Sequence, residues 1–146
     1  MEILIRWQQE IPGINAQEIR QKMEKALDDL GCHDKELSIL FTSDEGIAQL
    51  NHQYLGRQGP TNVIAFPMAP VSQDEPDSPL LGDIVVSVDT AVREARETGY
   101  SLMDTLGRLL IHGLLHLLGY DHETCDKDAK RMAQEEDRLM KIFKEA

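Results

Sequence analysis

The chain has 146 residues, of which 41% are hydrophobic and 28% charged, and its formal net charge is −11 at pH 7. That length and balance suit one domain over residues 1–146 with a buried core of its own. The acidic excess argues against a general polyanion binder, which needs positive charge where the phosphates sit, and every apolar run is too interrupted to span a bilayer.

The first residues, MEILIRWQQE, alternate in part and predict a strand over residues 2–9, with Ile3, Ile5 and Trp7 on one face. They lack the basic flank and apolar core of a signal peptide, so a cytoplasmic protein is expected. The two cysteines, Cys32 and Cys125, then read as reduced thiols. Asn15 can cap a helix of about four turns carrying Ile19, Met23, Ala26, Leu27 and Leu30, with Gly31 placed to end it. A strand follows at 37–41. Ser43 opens a short helix with Ile47, Ala48 and Leu50. Residues 62–66 read as a strand that Pro67 ends. Pro70, Pro76 and Pro79, set among acids and serines, mark a surface loop.

Residues 84–88 form the most apolar strand. A helix over 90–97 stops at Gly99. Ser101 and Asp104 resemble a capping box for a helix that runs to Leu118 and ends at Gly119. A last helix covers 126–143. Strands and helices alternate early and helices dominate later, which predicts an α+β domain: a small mixed sheet of about four strands with helices packed on it.

Residues 112–122 read HGLLHLLGYDH and hold three of the five histidines. His112 and His116 lie one turn apart on one helix face, so both imidazoles can aim at one point. Gly119 can turn the chain back to bring in His122. Three neutral imidazoles suit zinc, and three protein ligands leave a fourth position for water, whose pKa zinc lowers toward ~7. Cys125 is the nearest candidate for a closing fourth ligand. The spacing resembles that of the metzincin peptidases, and so predicts a zincin-like active-site helix. Those enzymes carry a glutamate general base after the first histidine. Gly113 stands there instead, so a peptidase of that type is not expected.

The histidine segment closely resembles the YbeY family signature, H-G-x-L-H-L-x-G-Y-D-H. Two further blocks agree in order. Leu50-Asn51, Tyr54, Gly56, Pro60-Thr61, Val63 and Phe66-Pro67 resemble the family's L-N-x-x-Y-R-G-K-D-x-P-T-D-V-L-S-F-P, and Leu81-Gly82-Asp83-Ile84 resembles its L-G-D-I. The resemblance implies one zinc ion held by His112, His116 and His122, and hydrolysis of single-stranded RNA. It further implies a role on ribosomal RNA and the small ribosomal subunit: maturation of the 16S rRNA 3′ end and ribosome quality control.

The central block departs from that pattern at polar positions. Leu55 stands where the family has arginine, Arg57 replaces lysine, Gln58 replaces aspartate, and Asn62 replaces another aspartate. Leu55 cannot clamp a phosphate, whereas Arg57, two residues on, can reach a neighbouring spot; the plain alternative for Arg57 is a solvated loop residue. The catalytic candidates are therefore Arg57 and His116. Leu55 also motivates a second reading, a non-catalytic, zinc-stabilised ribosome assembly factor.

Other residues have two readings each. Arg108 can reach a phosphate near the metal, but pairing with Asp104 is the simpler expectation. Asp121 can orient a ligand histidine or bond the turn's backbone. Asp83 can cap a strand end or line the cleft. His33 and His52 are expected at the surface, and Glu135, Glu136 and Asp137 on a solvated helix face.

Overall fold

The computed structural model describes residues 2–68, 80–120 and 125–146. Along these residues run β1 (Glu2–Trp7), α1 (Ala16–Asp29), β2 (Glu36–Thr42), α2 (Asp44–Leu55), β3 (Val63–Pro67), β4 (Leu80–Ser87), α3 (Val88–Thr98), α4 (Leu102–Leu117) and α5 (Asp126–Glu145). The strands form one mixed sheet in the order β1-β2-β4-β3. The first three are parallel, and β3 runs antiparallel to β4 at the edge. This is the α+β architecture that the sequence pattern predicts.

Strand alternation decides what each face of the sheet covers. Ile3, Leu37, Ile39, Phe41, Ile84 and Val86 share the main core with Ile19, Met23 and Leu27 of α1, Leu110 and Leu114 of α4, and Leu139 and Phe143 of α5. Ile64 and Val85 point the other way and pack on Ile47 of α2. Register pairs Trp7 with Phe41, and their rings stack at 4.5 Å. Asn15, Ser43 and Ser101 cap their helices as expected, accepting hydrogen bonds from the backbone N–H groups of Gln17, Gly46 and Asp104. No helix among the described residues is long and apolar enough to cross a membrane.

Two elements start at least two residues before the expected position, while β1 ends two residues early, at Trp7, and α5 runs two residues further, to Glu145. Strand β4 begins at Leu80, four residues before the predicted 84. Its first half holds Gly82 and Asp83, poor strand formers that the ladder to β2 nonetheless carries, with a register shift between Glu36 and Leu37. Helix α3 starts at Val88, because Ser87 rather than a later residue caps it by accepting from Thr90 N–H. The predicted loop with Pro70, Pro76 and Pro79 lies outside the described residues.

Helix α4 lies hard against both the sheet and α5. At Gly113 an added Cβ would come within 2.9 Å of Ile84 Cγ2, and at Gly107 it would collide with the Phe143 ring. Glycine at these two positions lets α4 approach closely while its next-door histidines stay on the open side.

Candidate functional site

Helix α4 buries Leu110, Ile111, Gly113, Leu114 and Leu115 and leaves His112 and His116 half-buried on its other flank. The i, i+4 spacing does what the sequence predicts. The two Nε2 atoms face each other at 3.0 Å, with the rings edge-on at 4.6 Å. Two imidazole nitrogens on a tetrahedral zinc, each 2.0–2.1 Å from it, stand about 3.4 Å apart. The pair therefore fits one metal ion held between them, with little adjustment.

After Leu117 the helix closes through Gly119, whose φ is +94°. Gly119 N–H donates to His116 O and Tyr120 N–H to Leu115 O, each at 3.0 Å. This is the left-handed helix ending that a glycine permits. Asp121 and His122 lie outside the described residues. Among the described residues, no group of three or more His, Cys, Asp or Glu side chains stands ready for a metal.

One site feature departs from the sequence reading. Glu136 is not part of a solvated face: its side chain is 18% exposed, and Oε1 lies 2.5 Å from His112 Nδ1. Nothing in the sequence marks it, because the contact joins α4 to α5 across 24 residues and depends on how those helices cross. Its neighbour Glu135 faces Arg138, which donates from Nε and Nη2 at 3.0 and 2.8 Å. Arg138 holds the Glu135 carboxyl below the usual range against the opposing effect of burial. Arg138 also pairs with Asp29 at the end of α1. Nearer the start of α5, the Arg131 guanidinium lies over the Tyr120 ring at 5.5 Å.

The histidines open onto a cleft of about 590 Å³. Leu55 and Arg57 line it, as do Val63 and Ala65 of the edge strand. The structure thus brings Arg57, His112 and His116 to a single cavity, with Leu55 in it as well. Gly56 ends α2 in the left-handed region, and the buried Asn51 holds the following loop by donating from Nδ2 to Gly59 O at 3.0 Å. In the β3–β4 ladder Ser87 N–H bonds Asn62 O and Met68 N–H bonds Leu81 O. Antiparallel alternation therefore turns the N–H groups of Val63 and Ala65 away from β4, along the open edge that borders the cleft. Asn62 donates from Nδ2 to Glu94 Oε1 at 3.0 Å, a contact that the aspartate of the family pattern has no hydrogen to make.

Arg108 is exposed, and no ion pair joins it to Asp104. Asp83 sits exposed inside β4, neither at a strand end nor in the cleft lining. His33 is a surface residue paired with Asp28, and His52 is exposed. Both cysteines are free thiols; Cys32 is buried, while Cys125 is exposed where α5 begins. Away from the cleft, Asp44 Oδ1 accepts from Ser87 Oγ and Thr90 Oγ1 at 2.6 Å each, and Arg93 pairs with Oδ2 at 2.9 Å. Burial pushes the Asp44 carboxyl up, but these donors together hold it below its ordinary value.

The family model for endoribonuclease YbeY matches residues 4–144. The chain belongs to the YbeY family. The endoribonuclease YbeY of Syntrophus aciditrophicus is 42% identical over 138 residues, which cover 94% of this chain and 86% of that one. The YbeY of Geobacter metallireducens is 40% identical over 144 residues, covering 98% and 96%. A solution structure of a Thermotoga maritima protein superposes with a TM-score of 0.67 at 29% identity, over 97% of this chain and 88% of that one. YbeY membership thus spans the sheet, the cleft and the histidine helix together.

Proposed function

We propose that this protein is a zinc-dependent endoribonuclease that cuts single-stranded RNA, in 16S rRNA 3′-end maturation and ribosome quality control. One observation carries the proposal: the His112 and His116 Nε2 atoms converge at 3.0 Å in a cleft that Arg57 also lines. Relatives named endoribonuclease YbeY, at about 40% identity over nearly the whole chain, support the ribonuclease half. His112, His116 and His122 would hold the zinc, His122 by its place six residues after His116. Bound there, zinc supplies the Lewis acidity that lets phosphodiester hydrolysis proceed without a protein nucleophile.

The chain's own residues bind and orient the strand. Arg57 offers a planar, permanently charged fork to a phosphate. The N–H groups of Val63 and Ala65 offer donors to backbone oxygens along the edge of β3. Its place within a stretch from Tyr54 to Val71 that holds no acid keeps Arg57 from being neutralised by a near neighbour in sequence. Removing the metal with a chelator abolishes cleavage of a ribosomal RNA 3′-end fragment, and zinc restores it. Cleavage that survives complete metal removal contradicts the proposal.

Leu55 favours a second reading, a non-catalytic, zinc-stabilised ribosome assembly factor. It lines the cleft, 45% exposed, where the family pattern has arginine. Under that reading the zinc-loaded protein co-sediments with small ribosomal subunits yet leaves RNA intact.

A further inference from the structure

We infer that Glu136 is the positioning residue of the metal site: it fixes the tautomer and orientation of His112, so that α5 sets the metal affinity of α4. The inference rests on the zinc reading above and adds a role for a residue on a different helix. A carboxylate has no hydrogen to give, so the 2.5 Å contact between Glu136 Oε1 and His112 Nδ1 requires the hydrogen on Nδ1. The lone pair of the neutral ring then sits on Nε2, the atom that faces His116 Nε2. A histidine that binds a metal through one nitrogen almost always has its other N–H held by a carboxylate, carbonyl or water, which fixes the tautomer and the ring orientation.

Four observations show that the carboxylate is committed to this task. No lysine or arginine among the described residues pairs with Glu136. The adjacent acid, Glu135, is turned to Arg138 instead. Met132, Leu139 and Met140, within a turn of Glu136 on α5, are buried in the main core and fix the helix that presents it. The cation–π contact of Arg131 with Tyr120 ties the same helix to the residue two before His122.

The test is a zinc competition titration of the full chain against a chromophoric chelator, for wild type, Glu136→Ala and Glu136→Gln, with thermal unfolding of each apo-protein alongside. Glu136→Ala weakens zinc binding about 10- to 100-fold. Glu136→Gln, whose amide oxygen still accepts from Nδ1, recovers part of that loss. The apo-proteins unfold at nearly the same temperature, which an ordinary α4–α5 strut would not allow. Zinc affinity in Glu136→Ala equal to wild type overturns the inference while leaving the zinc site standing, as does an affinity loss that merely follows lost apo stability. Failure of the wild type to bind zinc overturns the zinc reading, and this inference with it.

Discussion

Gly113 of α4 sits over Ile84 of β4 with no room for a side chain, since an added Cβ would lie 2.9 Å from Ile84 Cγ2 and 3.3 Å from Cγ1. Position 113 follows the first histidine, where a metzincin peptidase carries its glutamate base. Here packing against the sheet closes that position. Gly113→Ala forces α4 away from β4 and costs about 1–3 kcal/mol, the usual range for overpacking a filled core. Urea unfolding followed by circular dichroism measures it. An unchanged midpoint contradicts the tight α4–β4 seam.

Arg57 and Leu55 line the same cleft as the histidines. A hydrogen bond to a charged group contributes about 1.5–3 kcal/mol. Arg57→Ala therefore lowers kcat/KM on single-stranded RNA about 10- to 150-fold. Leu55→Arg raises it, because it places a second guanidinium in the cavity. A cleavage rate indifferent to Arg57→Ala returns that residue to the solvated loop.

Much of this site was legible in the sequence, because its parts are local. Asn15, Ser43, Ser101 and Gly119 act through neighbours within five residues, so their caps and turns followed from spacing alone. The same holds for His112 and His116, which need only one helical turn to meet. Glu136 was not legible: its role depends on the packing of α5 against α4, which no short-range pattern encodes. The start of β4 was hidden as well, since Leu80–Asp83 is strand only because β2 and β3 pair with it on either side.

Asn62 donates to Glu94 Oε1 from the loop that enters β3. Asn62→Asp removes the donor and sets two carboxylates against each other. It lowers stability by about 1 kcal/mol at neutral pH. Chemical denaturation at pH 7 reads the effect. A variant as stable as wild type at pH 7 contradicts the contact.

Asp44 and Glu135 both have carboxyl groups held below their ordinary values: Asp44 by Ser87, Thr90 and Arg93 against the effect of burial, Glu135 by Arg138. Each binds its proton more weakly folded than unfolded. Their contribution is therefore complete above the unfolded carboxylate range, about 3.9–4.3, and drains away as the pH falls through the lower folded values. Acid titration of the unfolding free energy shows this as a decline below about pH 4. Asp44→Asn and Glu135→Gln each make the decline shallower. An unchanged acid limb in both variants contradicts the assignment.

What decides between a working zinc nuclease and an inert one is the rate at which the zinc-loaded protein cleaves a single-stranded 3′-end fragment of ribosomal RNA, measured for wild type and for His116→Ala under the same zinc concentration. The wild type cleaves steadily, and His116→Ala does not. Intact RNA with both proteins, or equal cleavage by both, contradicts it.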